Sequence, residues 1–254
     1  METFRNDTLA KLDDGEPVRG AWLASMSPRV AEVLARTDLD WVGLDAEHTP
    51  ASAERIESAV RAIGDAATPV VRLPSVEAAV DGVCKRALDS GVQGVMIPDV
   101  RTPEDVERAV GAAKFPPAGE RGVAGTTRAN GYGAAFDEYV ERANDETLVA
   151  IQLESREVIE RADELLAVEG VDVAFVGEND LSASLGHPGE TDRSDVVEAV
   201  DAVFEAAQTN GVHPGIAGRT PEDIAERADR GFRFFLLGAD VKFLRDGLEP
   251  FFSG

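Results

Sequence analysis

The sequence predicts an α/β protein, a (β/α)8 TIM barrel that forms one domain over residues 1–254. Three observations carry this expectation. Short apolar or β-branched runs recur eight times along the chain. Most are separated by roughly 15 to 25 residues whose Ala, Val, Leu and Ile recur every three or four positions, the pattern of parallel strands joined by helices. A length of 254 residues suits eight such units.

The apolar run Gly20–Ala24 reads as the first strand and Trp41–Leu44 as the second. Ala51–Ile63 follows with helical spacing. Pro69–Leu73, built on Val70 and Val71, is the third strand, and Ala78–Leu88 reads as the helix behind it. Gly94–Ile97 is the fourth strand. Thr102-Pro-Glu-Asp105 then offers a cap, a proline at the first helical position and acids in the first turn. Phe115–Gly133, rich in Gly, Pro and Arg, is the longest irregular stretch, and a loop of that length is usually functional or disordered. Leu148–Leu153 and Val173–Val176 are the fifth and sixth strands, and Asp195–Thr209 has helical spacing. His213–Ile216 is the seventh strand, Thr220-Pro-Glu-Asp223 repeats the helix start, and Phe234–Leu237 is the eighth strand.

Composition excludes several classes. A net charge of −23 repels nucleic acid and anionic membranes. Acid in such excess, with lysine only at 11, 85, 114 and 242, fits a high-salt cytoplasm and a halophilic source, because salt screens self-repulsion. No apolar run is long enough to span a bilayer. The start Met1–Asp7 is polar and acidic, unlike a signal peptide, so a cytoplasmic location is expected. The single cysteine, Cys84, rules out a disulfide framework or Cys-rich metal site and reads as packing.

Chemistry gathers where the expected strands end. The second strand delivers Asp45, Glu47 and His48, the third Arg72, the fifth Gln152 and Glu154, and the sixth Asp180. Each has an ordinary explanation as a cap or ion-pair member. Together they occupy one end of a barrel, the end where such enzymes work. Glu154 and Asp180 come from adjacent strands, and two carboxylates held together call for a proton or a cation. Oxygen ligands suit a hard divalent ion, Mg²⁺ or Mn²⁺ first, with Co²⁺ or Zn²⁺ as alternatives. Arg72 is a natural clamp for a carboxylate or a developing enolate. His48 is the candidate base. His213 stands at the start of its strand, on the opposite face, and His187 reads as a turn residue. No lysine falls at a strand exit, which disfavours Schiff-base chemistry. A P-loop, a dinucleotide fingerprint and a nucleophile elbow are lacking.

Asp45-Ala-Glu-His48, Val71-Arg-Leu-Pro74, Pro116-Pro-Ala-Gly-Glu-Arg-Gly122, Gln152-Leu-Glu154 and the run Gly170–Ser182 resemble, in order, segments of the HpcH/HpaI aldolases, which are metal-dependent pyruvate aldolases. The resemblance implies a homo-oligomeric barrel, a trimer or hexamer, acting on a small keto acid and an aldehyde. It implies that Glu154 and Asp180 hold the metal and that Arg72 binds pyruvate. His48 would move a proton, oriented by Asp45 or, across a subunit contact, by Asp89. Gln152 would lie beside the metal, and Gly177 and Asn179 would contact substrate. Cleavage of 4-hydroxy-2-oxoheptanedioate or a 2-keto-3-deoxy sugar acid to pyruvate and an aldehyde is the activity implied. The chain departs from the family at Glu178, where proline is usual and the acid adds negative charge beside the site. The loop Arg121–Arg128 departs as well.

Two rivals stand beside this expectation. A citrate-lyase-like enzyme would cleave a hydroxyacyl-CoA and needs a basic groove, for which Arg101, Arg121 and Arg128 are available. A non-catalytic binding or assembly barrel would have lost a metal or base position, and none of His48, Arg72, Glu154 and Asp180 is missing.

Overall fold

Eight parallel strands close into a barrel in the order β1 to β8 in the computed structural model, which describes residues 4–252. The strands are β1 Val18–Leu23, β2 Trp41–Asp45, β3 Thr68–Arg72, β4 Gly94–Ile97, β5 Leu148–Leu153, β6 Val173–Val176, β7 His213–Ala217 and β8 Phe234–Ala239. All eight expected strands are present, three with the expected ends and five with an end shifted by one or two residues. Met1–Thr3 of the polar start, with Ser253 and Gly254, lie outside the described residues. Among those described, no helix is long and apolar enough to cross a membrane.

Strand alternation sorts the side chains. Val18, Trp22, Trp41, Val70, Met96, Leu148, Ala150, Val173, Phe175 and Phe234 point inward and form the interior cluster. Their neighbours Leu23, Val42, Leu44, Val71, Val95, Ile97, Val149, Ile151, Leu153, Ala174, Val176 and Phe235 point outward, into the layer shared with the helices. The interior is therefore packed, not hollow. Helix Asp7–Asp13 closes the N-terminal end with Leu9 and Leu12. His213 belongs to that end and lies 3.6 Å from Asp13.

Helices follow the expected signals. Thr102 caps Pro103–Ala113 through a capping box with Asp105, and Thr220 caps Pro221–Arg230. Ala53–Ile63 starts at the Ser52 cap, and Ser194–Asn210 runs one residue past expectation at each end. One helix differs. Ala78–Leu88 is two helices, Val76–Val80 and Val83–Asp89. The chain turns between them at Gly82, whose left-handed φ of 93° no helix accommodates. Apolar spacing continued across the break because both pieces pack on the same core, with Ala79 and Cys84 buried.

Phe115–Gly133 is irregular apart from one short turn at Gly131–Gly133, and it is pinned at both ends. Buried Asn130 accepts the N–H groups of Thr127 and Gly133 and donates to the Ala124 carbonyl. Arg121 is buried between the rings of Phe115 and Tyr139, 4.4 and 5.8 Å from their centres.

Candidate active site

The last inward positions of β2, β3 and β5 are Asp45, Arg72 and Gln152, so alternation alone aims them at one another across the C-terminal mouth. Asp45 and Arg72 are register partners on the final rung between β2 and β3. Arg72 Nε donates to Asp45 Oδ1 at 3.0 Å, and Arg72 Nη2 lies 2.9 Å from Oδ2. The guanidinium rests 4.7 Å over the ring of Trp22, which is the inward residue of β1 at this level. Burial pushes the Asp45 carboxyl up. The hydrogen bonds and charge of Arg72, with the backbone N–H groups of His48 and Glu47, outweigh burial and hold it below the usual range.

Glu47 meets Arg72 at Nη1. Its Oε2 lies 3.0 Å from Nη1 and makes no directed hydrogen bond, so the contact is ionic. The same Oε2 is 3.6 Å from Nε2 of His48, whose side chain is 65% exposed. Burial raises Glu47 above the usual carboxylate range against the pull of Arg72 and His48. Asp45, one of the two acids expected to orient His48, meets it at the backbone, not at the ring, and the acid that meets the imidazole is Glu47. Asp89 stands elsewhere in this chain. It ends the helix Val83–Asp89 and accepts from Arg121 Nη2 at 2.7 Å.

Glu154 follows β5 and is half-buried. Its Oε1 accepts the backbone N–H of Asp99 at 3.1 Å, and its Oε2 accepts from Gln152 Nε2 at 3.1 Å. The Glu154 carboxyl is pushed up to about 7, by burial first and then by the charges of Glu47, Asp180 and Asp99. Asp180, exposed in the first turn of Glu178–Ser184, is thus within electrostatic reach of Glu154. Gly177 lies against this acid. A Cβ there would come 2.9 Å from Glu154 Oε2 and 3.0 Å from its Cβ. Gly177 therefore makes room for Glu154, while Asn179 is exposed beside it and its carbonyl accepts from Ser182.

These residues fit a divalent cation. Glu154 is a half-buried carboxylate among acids, short of positive charge, and Gln152 Oε1 beside it is buried with no partner. Among the described residues, no group of three or more His, Cys, Asp and Glu gathers at one point. An acid pair leaving other positions to water and substrate is an open, oxygen-rich arrangement, as magnesium or manganese favours.

One expectation is corrected here, and one rival loses support. Glu178 does not add charge to the mouth. It is buried beneath Pro221–Arg230, with Oε1 at 3.2 Å from Arg227 and 3.5 Å from Arg219. Of Arg101, Arg121 and Arg128, the arginines available to the rival reading for a basic groove, two are engaged elsewhere. Arg121 is buried on Asp89 and Tyr139, and Arg128 donates to the Ser90 carbonyl. Sequence reasoning assigned no role to Glu47, Trp22, Asp99 or Asp240. Glu47 and Trp22 share the inward phase of Asp45 and Arg72, a signal available in the alternation. Asp99 adopts a left-handed φ of 55°, and Asp240 accepts the N–H groups of Ala24 and Ser25 across the β1–β8 closure. Neither has a local signature.

The HpcH/HpaI aldolase/citrate lyase family profile matches residues 19–247. A hydroxypyruvate/pyruvate aldolase of Paraburkholderia phytofirmans is 39% identical over 251 residues, covering 96% of this chain and 95% of that protein. A 5-keto-4-deoxy-D-glucarate aldolase of Shigella boydii is 34% identical and covers 98% and 96%. The crystal structure of an HpcH/HpaI aldolase/citrate lyase family protein from Burkholderia cenocepacia superposes with a TM-score of 0.89 at 37% identity, over 98% of this chain and all of the other.

Proposed function

This chain belongs to the HpcH/HpaI aldolase/citrate lyase family, and from that premise we propose a divalent-metal-dependent pyruvate aldolase. It would cleave a 4-hydroxy-2-oxo acid, such as 4-hydroxy-2-oxoheptanedioate or a 2-keto-3-deoxy sugar acid, to pyruvate and an aldehyde. The observation that carries the reading is Arg72, fixed by Asp45 on the last rung of the barrel and facing the Glu154–Gln152 pair across the same mouth. The names of the relatives support the reading, one a hydroxypyruvate/pyruvate aldolase and the other an aldolase of a keto-deoxy sugar acid.

Glu154 and Asp180 would hold the cation, with Gln152 beside it. When bound, the cation supplies Lewis-acid stabilisation of the charge that develops on the 2-oxo acid. Arg72 takes the carboxylate or the enolate oxygen, and Trp22 keeps water from the guanidinium's lower face. In the cleavage direction the 4-hydroxyl loses its proton and the C3–C4 bond breaks. Its electron pair becomes the C2–C3 double bond of the pyruvate enolate, and the aldehyde leaves. Protonation at C3 completes pyruvate. His48, exposed at the mouth and tethered by Glu47, is placed to exchange these protons with solvent, directly or through water. Asn179 and Gly177 line the approach from the β6 side.

Other parts of the reading follow from the surface. Leu244, Phe251 and Phe252 are 70, 80 and 82% exposed on the last helix and turn, with Val241, Phe243 and Leu248 exposed beside them. So large an apolar face supports a homo-oligomer, a trimer or hexamer, that covers it. Asp89 would act across such a contact. The excess of acid supports a halophilic, cytoplasmic source.

The test is deuterium exchange into the methyl group of pyruvate without aldehyde, with Mg²⁺ or Mn²⁺ and then with chelator. The expected result is exchange that chelation abolishes and Glu154→Gln does not support. His48→Ala should slow exchange and cleavage together while pyruvate still binds. Turnover that survives complete chelation, or borohydride trapping of pyruvate on a lysine, would remove the metal-dependent assignment.

A further inference from the structure

We propose that Glu47 is a carboxylate shared between Arg72 and His48, through which occupation of Arg72 by a 2-oxo acid governs the protonation of His48. The inference rests on the aldolase reading and goes beyond it by giving Glu47 a positioning role toward the base.

The geometry is specific. A guanidinium carries five N–H groups. Asp45 accepts from Nε and lies 2.9 Å from Nη2, and Glu47 lies 3.0 Å from Nη1 in an ionic contact without a directed hydrogen bond. One N–H remains on each terminal nitrogen, the pair that a ligand carboxylate or enolate can grip. An incoming anion at that edge shares Nη1 with Glu47 Oε2. The same oxygen is the one that lies 3.6 Å from His48 Nε2. Glu47 thus meets both the guanidinium and the imidazole, whereas Asp45 reaches His48 only at its backbone.

The surroundings give the carboxylate little else to lean on. Asp45 on its own strand, Asp99 beyond β4 and Glu154 beyond β5 are all acids, and each opposes negative charge on Glu47 or is opposed by it. Arg72 and the His48 imidazole, which is cationic only when protonated, are the two groups that favour negative charge on Glu47. Neutralising Arg72 with a bound 2-oxo acid weakens one of those two attractions. The remaining compensation falls on His48, which gains affinity for a proton. Binding of the substrate anion thus prepares the histidine to accept the proton that the methyl or hydroxyl group must lose. Asp45 cannot substitute, because both its oxygens are committed to Arg72 and to backbone donors.

The test follows the imidazole directly. The chain has three histidines, so the His48 ring signal is assigned by comparison with His48→Asn. Its titration is recorded by NMR in the Mg²⁺-loaded protein with and without pyruvate, in wild type, Glu47→Gln and Glu47→Asp. In wild type, saturating pyruvate should raise the His48 midpoint by about one pH unit. Glu47→Gln should abolish the rise. It should slow methyl exchange by about tenfold or more with pyruvate KM unchanged or lower, since a competitor for Nη1 has gone. Glu47→Asp should keep a smaller rise in the same direction. An equal rise in Glu47→Gln and wild type, or unaltered exchange in that variant, overturns the inference while leaving the aldolase reading in place. Absence of pyruvate binding and exchange in the wild type overturns both.

Discussion

Asp45 and Arg72 are partners in the β2–β3 register and in charge, with two contacts of 3.0 and 2.9 Å joining their side chains. Backbone pairing thus fixes the direction of the guanidinium before any ligand arrives. Asp45→Asn should cost about 3 kcal/mol of stability, because it strips the buried guanidinium of its hydrogen-bonded counter-charge and leaves it only the ionic contact with Glu47. Arg72→Lys keeps the charge but loses the fork, and should lower pyruvate exchange about 100-fold. Urea melts and exchange rates check the two. Near-normal rates in Arg72→Lys would make Arg72 a structural ion-pair member only.

Glu154 gives a pH dependence with a definite sign. Its carboxyl ionises near its ordinary value of 4.5 when unfolded and at about 7 in the cation-free fold. The unfolded chain therefore releases the proton first. Stability from this group is whole below pH 4.5 and falls as pH rises to 7, by about 3 kcal/mol. Glu154→Gln should be more stable than wild type at pH 8 in chelator and equal to it near pH 4.5. Added Mg²⁺ should stabilise wild type at pH 8 and leave the variant unchanged. Equal melting curves at pH 8 would contradict the assignment.

Cys84 is fully buried, and burial pushes its thiol up to about 12. At pH 8 almost no thiolate is present. A thiol reagent should leave the native protein unlabelled and modify it only at the rate of opening. Fast stoichiometric labelling without denaturant would show that the helix Val83–Asp89 opens freely.

Self-repulsion from a charge of −23 should weaken as the Debye length falls from about 10 Å at 0.1 M salt to about 3 Å at 1 M. Melting temperature should rise with KCl into the molar range. A flat or falling curve would remove the halophilic reading and leave the chemistry untouched. Of the four lysines, Lys114 is buried on the carbonyls of Asn144 and Thr147, so the surface holds even less lysine than the composition shows.

The last helix offers the assembly test. Leu244→Asp with Phe251→Asp should shift sedimentation toward a smaller species without loss of helix content. If activity needs Asp89 across the contact, it should fall in step. An unchanged sedimentation coefficient would place the contact elsewhere.

Much of this was legible in the chain. Eight strands could be marked because each is a short apolar run flanked by turn residues. Asp45, Arg72, Gln152 and Glu154 could be grouped because they close such runs. What escaped was set by long-range packing. Glu47 was visible beside Asp45, yet its contact with His48 depends on a bend after β2. Glu178 read as a charge in the mouth because sequence does not show that Arg227 of helix Pro221–Arg230 and Arg219 just before it meet its carboxylate. Asp240 gains its meaning only when β8 meets β1, more than 200 positions apart.

The two tryptophans of this chain are both in the column beneath Arg72. Trp22 lies edge-on to Trp41, with ring centres 5.7 Å apart, and Trp41 stacks on Phe234 at 4.4 Å. Trp22 is the indole in contact with the guanidinium. The barrel therefore carries its own optical probe. Neutralising Arg72 with an anion changes the electric field on one indole, and the second is close enough to exchange excitation with it. Intrinsic emission should follow events at Arg72 with no label attached, and Trp22→Phe should silence that response while Trp41 goes on reporting the fold.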